Sequence, residues 1–263
     1  MKHRYALRLA YDGAAFRGFQ RQPGLPTVQE TLESALRPLG FTGRLDVAAR
    51  TDAGVSAVDQ VVSFWTRAPH EPDALRAAVN AATPPELVCL DAARVPPSFH
   101  ARAAATSRTY VYLVGAPPPE ALREPTPRAW ALPDARAFPD LAALPPPLDV
   151  AAMREALATC VGTHDFTGFA RPGEQKDPVR TILRAEVIEA TDAPTWALVF
   201  EGRGFLRAMV RHLVGTVVTV GLGLAPPARL GELLAARGRY RGVRAPGWGL
   251  CLARVRYDAS PFR

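Results

Sequence analysis

Residues 5–36 read YALRLAYDGAAFRGFQRQPGLPTVQETLESAL, a stretch that opens with a strand pattern and closes with a helix pattern. Apolar side chains alternate with period two from Tyr5 to Tyr11, which predicts a strand with one buried face. Thr27 stands three residues before Glu30, the spacing of a capping box at the start of a helix. Apolar residues then recur at helical spacing. The stretch therefore predicts a strand followed by an amphipathic helix.

The residues that follow extend this pair to the order β-α-β-β-α-β. Strand-like runs at residues 45–49 and 60–66 flank a turn-rich segment. A second helix is expected from Asp73, as its N-cap, to Ala82, and residues 87–95 form another strand pattern. This order is typical of ferredoxin-like domains.

The second half repeats this order more loosely. Strand patterns lie at residues 108–114, 181–190, 196–201 and 250–257, with helix patterns at 149–160, 205–220 and 229–236. Ten prolines in residues 117–147 predict a surface excursion with an extended backbone. We predict an α+β fold of two ferredoxin-like halves, residues 1–104 and 105–263, with mainly antiparallel sheets joined around a central cleft.

Composition narrows the class of protein. The chain has 263 residues, 48% of them apolar, which suffices for one large core or two small ones. Neither a membrane-spanning run nor a secretory signal pattern is found, and Cys89, Cys160 and Cys251 form no CxxC pair. We expect a reduced, soluble, cytoplasmic protein with no membrane association.

Charge is concentrated near the C-terminus. Residues 201–263 carry a net charge of +8, against +7 for the whole chain, and all of their basic residues are arginines. Guanidinium groups match phosphate oxygens, so this favours a polyanionic partner such as nucleic acid. The chain has only two lysines, however, so a general compositional bias toward arginine explains part of the pattern.

Several kinds of catalytic site are missing from the sequence. It contains no phosphate-binding GxxxxGK[ST] loop, no GxGxxG after a strand, no GxSxG and no HExxH. The five histidines do not pair at metal-ligand spacing. We expect any catalysis to use carboxylate, guanidinium and phenol groups, without a metal or cofactor.

Residues 48–57, AARTDAGVSA, are the most unusual segment. Asp52 follows Arg50 by two residues just after a strand pattern, among small residues that allow close approach of a ligand. Taken alone, an aspartate that caps a turn is the commoner interpretation, because aspartates are frequent in turns.

The segment Arg50-Thr-Asp-Ala-Gly-Val resembles the GRTDAGVHA signature of the TruA family of tRNA pseudouridine synthases. Further blocks that are similar to the family follow in its order: residues 11–23 (YDGAAFRGFQRQP), 98–102 (SFHAR), 108–112 (RTYVY), 164–169 (HDFTGF), 180–182 (RTI) and 204–216. This resemblance extends over nearly the whole chain.

The resemblance implies an enzyme that breaks the N1–C1′ bond of a uridine in tRNA, turns the base, and rejoins it through C5. Asp52 matches the family's essential aspartate, which acts either as a nucleophile at the sugar or as a base. Arg211 would be the cation beside it, and Tyr110 would stack on the uracil and help remove the C5 proton. Arg50 would assist base flipping.

The resemblance also implies partners and a target. A homodimer would bind the anticodon stem-loop of tRNA and modify uridines at positions 38–40. Arginines of the second half, Arg203 and Arg207 among them, are expected to contact phosphates, which gives affinity without sequence reading.

The chain departs from the family pattern at four positions. Ala49 replaces a glycine, Ser56 and Trp248 replace histidines, and Arg203 replaces an asparagine. None is the aspartate, so we expect the chemistry to be retained and RNA contacts near these positions to differ.

Two other functions remain open from the sequence. A non-catalytic RNA-binding protein would use the same arginines and tyrosines, although a carboxylate facing phosphate would not help it. A metal-free glycoside hydrolase would need a second acid near Asp52, for which Asp59 is the nearest candidate in sequence.

Overall fold

A computed structural model describes residues 2–115, 148–170, 177–189, 195–236 and 242–262. These residues form a mixed α+β structure of two compact units. The first unit comprises residues 2–108 and 251–262, and the second lies within residues 109–250. The predicted proline-rich excursion at 117–147 lies outside the described residues.

The first unit follows the element order predicted from the sequence: β1 (His3–Tyr11), α1 (Val28–Leu36), β2 (Phe41–Val47), β3 (Ser56–Thr66), α2 (Pro72–Ala82) and β4 (Leu87–Arg94). Strand β1 lies between β3 and β4 and is antiparallel to both, so that Leu7 stands opposite Val62 and Ala92. Strand β2 is antiparallel to the other side of β3.

A last strand, β9 (Leu250–Tyr257), also pairs with β3. This pairing is parallel and brings Cys251 opposite Ser56 and Leu252 opposite Ala57. Strands β1 and β9 therefore both pair with β3 in the first unit. The core of this unit includes Leu7 and Val62, which are both fully buried.

The prediction of Thr27 as the N-cap of α1 is confirmed, and the prediction of Asp73 as the N-cap of α2 is wrong. The Thr27 side chain accepts a hydrogen bond from the Glu30 backbone N–H at the start of α1. Helix α2 instead begins at Pro72 after Glu71, which makes no side-chain cap. Proline suits the first helical position because its fixed φ is helical and no N–H is needed there. Asp73 lies in the first turn.

The second unit contains most of the remaining elements: β5 (Ala105–Gly115, which begins in the first unit), α3 (Val150–Ala158), β6 (Gly162–Asp165), β7 (Val179–Glu189), β8 (Thr195–Gly202), α4 (Met209–Gly221) and α5 (Arg229–Ala236). Its strands are ordered β5-β8-β7-β6, and β7 is antiparallel to both β6 and β8. The four residues of β6 were not predicted, because GTHD is short and polar.

Helix α4 is apolar nearly all round and lies in the core of the second unit. It contacts both α3 and α5, and residues such as Leu213 and Val217 are fully buried. The helix was predicted to start at residue 205 and starts at Met209. Its N-cap, Ala208, has φ of 59°. This left-handed conformation cannot continue a helix, so the helix begins only after it.

No helix among the described residues is long and apolar enough to cross a membrane.

Candidate active site

Asp52 lies in the segment that joins β2 to β3, residues 48–55, which we call the aspartate loop. The backbone N–H of Val55 donates to the Asp52 carbonyl over 3.1 Å, and Gly54 has φ of 80°. These features make a tight turn with Asp52 as its first residue. Asp52 is half-buried, the preceding Thr51 is buried, and Arg50 is exposed.

Residues 11–19, the block that resembles the family opening, hold the aspartate loop. The Tyr11 hydroxyl is hydrogen-bonded to the Thr51 hydroxyl at 2.8 Å. The Phe19 backbone N–H donates to the Thr51 carbonyl at 3.0 Å, and the Gly54 N–H donates to the Phe16 carbonyl at 3.4 Å. Two sequence blocks that are well separated along the chain therefore form one local structure.

Two glycines in residues 11–19 permit this close packing. A Cβ at Gly13 would lie 2.3 Å from the Val55 carbonyl carbon. Gly18 has φ of 96°, and a Cβ there would lie 3.0 Å from the Thr51 carbonyl oxygen. The Ser56 hydroxyl accepts a hydrogen bond from the Gly13 N–H at 3.0 Å. The serine that departs from the family pattern thus fastens the end of the aspartate loop to Gly13.

The buried side chain of Gln60 forms hydrogen bonds with both the carbonyl and the N–H of Ala49. Its Nε2 donates to the Ala49 carbonyl at 2.7 Å, and its Oε1 accepts from the Ala49 N–H at 3.3 Å. The same Nε2 lies 3.2 Å from the Tyr11 hydroxyl oxygen. Burial raises the pKa of Tyr11 well above its ordinary value, against the lowering effect of the hydrogen bonds from Thr51 and Gln60. Tyr11 is therefore a neutral hydrogen-bonding group.

The guanidinium of Arg108 holds the first residue of the aspartate loop. Its Nε and Nη2 donate to the Ala48 carbonyl at 3.2 and 2.9 Å, and Nη2 also donates to the Arg102 carbonyl at 2.7 Å. Arg108 is buried. Sequence reasoning assigned no role to Gln60 or Arg108, although each is a polar residue within a β-rich run, which is a signal for a buried hydrogen-bonding role.

The structure places the second-unit candidates around the start of α4. Tyr110 on β5 is buried, and its ring meets Phe205 edge-on at a centroid distance of 5.3 Å. Arg203 and Arg207 are both exposed, and they lie two residues before and two residues after Phe205 in the sequence. The loop that carries them ends at the left-handed Ala208. Backbone strain of this kind often occurs at functional sites.

Arg211 lies in the first turn of α4 and is half-buried. Its Nε donates to the Ala245 carbonyl at 2.7 Å, and the Ala245 N–H donates to the Arg211 carbonyl at 3.1 Å. The next residue, Pro246, accepts a hydrogen bond from the Tyr112 hydroxyl at 3.1 Å. A Cβ at Gly249 would lie 2.5 Å from the Tyr112 ring. Residues 245–249, which include the departure at Trp248, therefore pack against both Arg211 and Tyr112.

Asp59, the candidate second acid of a glycoside hydrolase, instead forms a hydrogen bond between two strands. It lies on β3, and its Oδ2 accepts a hydrogen bond from the Val255 backbone N–H on β9 at 2.8 Å. Burial raises the pKa of Asp59, while that hydrogen bond and the charges of Arg8 and Arg254 lower it. Its partner is therefore the backbone of a neighbouring strand. Within the described ranges, histidines, cysteines, aspartates and glutamates form no group of three that could hold a metal ion.

The chain is similar in sequence to tRNA pseudouridine synthases. Residues 156–258 match a family model described as tRNA pseudouridine synthase. The chain is 36% identical to tRNA pseudouridine synthase A of Streptococcus thermophilus, covering 97% of this chain and 99% of the relative. It is 41% identical to the enzyme of the same name from Ralstonia nicotianae, covering 97% and 90%. A solved Cbf5-Nop10-Gar1 complex matches at 12% identity and a TM-score of 0.35, covering 94% of this chain and 48% of that one.

Proposed function

The chain belongs to the tRNA pseudouridine synthase A family, and from this membership we propose that Asp52 is its catalytic residue. The protein is an isomerase that converts uridine to pseudouridine in tRNA. The N1–C1′ bond breaks, a C5–C1′ bond forms, the C5 proton leaves, and N1 takes up a proton. Atoms and electrons balance within the nucleotide, so the isomerisation consumes no second substrate.

The observation that carries the proposal for Asp52 is the fixed backbone of the aspartate loop. Both the carbonyl and the hydroxyl of Thr51 are hydrogen-bonded, to Phe19 and Tyr11, so the residue that follows has little freedom. A carboxylate held in this way acts on the ribose either as a nucleophile at C1′ or as a base at C2′. Both routes begin from the same position of Asp52.

Two residues of the second unit are proposed to act on the same nucleotide. Tyr110 stacks on the flipped uracil and helps remove the C5 proton, and its ring contacts that of Phe205 at a right angle. Arg211 stabilises the ionised aspartate during the reaction, and Ala245 fixes the direction of its guanidinium. Arginine suits this role because it is charged at every pH the enzyme meets.

The exposed arginines are proposed to bind the RNA. Arg50 assists flipping of the target base out of its stack. Arg203 and Arg207 contact phosphates. Their exposure, and their positions beside Asp52 and Phe205 in the sequence, support these roles.

The resemblance supports the remaining parts of the proposal. The targets are uridines 38–40 of the anticodon stem-loop, and the enzyme acts as a cytoplasmic homodimer. The halves, residues 1–104 and 105–263, are ferredoxin-like and enclose a central cleft. For the first half, the antiparallel strand order β4-β1-β3-β2 supports this fold.

Exchange of Asp52 for asparagine tests the site. The Asp52→Asn protein should release tritium from C5-labelled uridine in tRNA at least about 100-fold more slowly, because the amide is neither a nucleophile nor a base. Asp73→Asn is the matched control, since Asp73 is 94% exposed on α2 and should keep full activity. Thermal melting and tRNA binding of both variants should match the unmodified protein. An Asp52→Asn rate within about tenfold of the unmodified rate would contradict the assignment.

A further inference from the structure

A polar cavity of about 180 Å³ lies in the first unit next to the aspartate loop. Its walls come from α1, from β2, from Phe19 and Gln20, and from Arg50 of the aspartate loop. In addition to Arg50, four of its lining residues have polar side chains: Gln20, Gln29, Glu33 and Arg44. None of these four has a role in the reaction as described so far.

A bulge in β2 presents Arg44 at this cavity. Thr42 stands opposite Trp65 and Asp46 opposite Ser63, so three residues of β2 span the place of one residue of β3. Gly43 has φ of 84°, and a Cβ there would meet nothing within 4 Å. The glycine is therefore required by the backbone conformation and not by lack of space. Bulges of this kind change the direction of a side chain and are frequent beside active sites.

The charges at the cavity favour an anion. Glu33 is the only carboxylate among the lining residues. Its Oε2 lies 2.7 Å from Nη2 of Arg21, and its Oε1 accepts a hydrogen bond from Gln29 at 2.8 Å. Arg21 thus balances Glu33. The exposed guanidiniums of Arg44 and Arg50 leave the cavity with net positive charge.

We propose that this cavity binds a backbone phosphate of the RNA strand next to the reacting uridine, with Arg44 as the principal contact. The proposal rests on the proposed function, because it is Arg50 and the aspartate loop that place the cavity beside the chemistry. A guanidinium forms paired, charge-assisted hydrogen bonds with a phosphate. Such a contact positions the strand and carries no sequence information.

Binding measurements test the contact. All proteins carry Asp52→Asn, which keeps the tRNA unmodified, and Arg44→Gln is compared with Arg76→Gln. Arg76 is a suitable control because it is 46% exposed on α2, away from the cavity lining. We expect Arg44→Gln to raise the Kd for tRNA about tenfold at low salt. Loss of one phosphate contact should also reduce the slope of log Kd against log salt by about 0.7 to 0.9.

A second experiment locates the phosphate. Single uncharged methylphosphonate linkages are placed on either side of the target uridine, in a tRNA joined from synthetic segments. At one linkage the neutral phosphate should weaken binding as much as Arg44→Gln does, and the two changes together should weaken it no further. Additive effects at every flanking linkage would overturn the proposal, as would an Arg44→Gln protein that binds like Arg76→Gln.

The two proposals fail in different ways. The unmodified protein and its Arg44→Gln variant are assayed for tritium release from the same tRNA. An unmodified protein that releases no tritium would overturn the proposed function. If the unmodified protein is active and Arg44→Gln has the KM and salt dependence of Arg76→Gln, only the cavity assignment is wrong. Thermal melting of each variant identifies any loss of folding, and Arg44→Lys, which keeps the charge, should restore most of the salt slope.

Discussion

At the scale of single residues, hydrogen bonds fix the backbone around Asp52, and Asp52 itself is half-buried. Ala48, Ala49 and Thr51 each have a carbonyl that accepts a hydrogen bond, from Arg108, Gln60 and Phe19 respectively. Two of these donors, Arg108 and Gln60, are side chains that hydrogen-bond to the backbone of alanines. The family motif thus supplies backbone carbonyls that accept hydrogen bonds, in addition to the aspartate.

Tyr11 offers a test of this positioning. Tyr11→Phe removes the hydroxyl that Thr51 and Gln60 share, so the folded state should lose about 1 to 3 kcal/mol of stability. Because Thr51 precedes Asp52, we also expect kcat to fall by about tenfold or more while KM for tRNA changes little. Urea denaturation and steady-state kinetics measure the two effects.

Tyr5→Phe is the control for this variant. Tyr5 is equally buried on the same strand, and its hydroxyl bonds to both the N–H and the carbonyl of His70, away from the aspartate loop. It should lose similar stability and keep its kcat. If the two variants lower kcat to the same extent, the effect of Tyr11 is general destabilisation and not positioning.

At the scale of elements, two helical glycines should respond in opposite ways to alanine. A Cβ at Gly215 of α4 would lie 1.8 Å from the Val243 carbonyl oxygen, so Gly215→Ala should destabilise the protein by about 1 to 3 kcal/mol or more. A Cβ at Gly231 of α5 would lie 4.0 Å from the Cβ of Thr159, an ordinary contact. Gly231→Ala should therefore stabilise it by up to about 1 kcal/mol through helix propensity. Denaturant unfolding of both variants measures whether the free energy of unfolding falls or rises.

The pairing of β3 with β9 should give a pH-dependent stability. Burial raises the pKa of Asp59 in the folded state. The protonated carboxyl group therefore makes its full contribution to the free energy of unfolding below the unfolded pKa of about 3.9. This contribution is lost as the pH rises through the higher folded pKa. In the Asp59→Asn protein the amide oxygen would still accept the Val255 N–H but would not titrate. The Tm of Asp59→Asn relative to the unmodified protein should therefore rise as the pH increases through the folded-state pKa of Asp59, and a constant difference would contradict this.

Local sequence patterns predicted most helices and strands, whereas features that depend on the tertiary structure could not be predicted from them. The start of α1 could be predicted because the N-cap bond of Thr27 spans only three residues. The later start of α4 depends on the left-handed Ala208, which no residue type at that position signals. The motif is the basis for proposing Asp52 as the catalytic residue, and the Asp52→Asn assay tests that proposal. The support from Gln60 and Arg108 escaped prediction, because Arg108 bonds to a carbonyl 60 residues away.

At the scale of the whole molecule, charge should govern tRNA binding. The chain has a net charge of +7, and its C-terminal quarter is rich in arginine. Each phosphate contact releases condensed counterions, so raising salt from about 50 to 200 mM should weaken tRNA binding by at least about tenfold. Filter binding at several salt concentrations measures the slope. A Kd that does not change with salt would contradict a phosphate-based interface.

The parallel pairing of β9 with β3 has a consequence for biosynthesis. Residues 251 and 252 sit beside residues 56 and 57, directly after the aspartate loop. A ribosome must therefore translate about 200 residues beyond β3 before the first unit can acquire its last strand. Nascent chains that stop short of β9 lack the backbone neighbour of β3 at that point, so prematurely terminated products lack the last strand of the first unit.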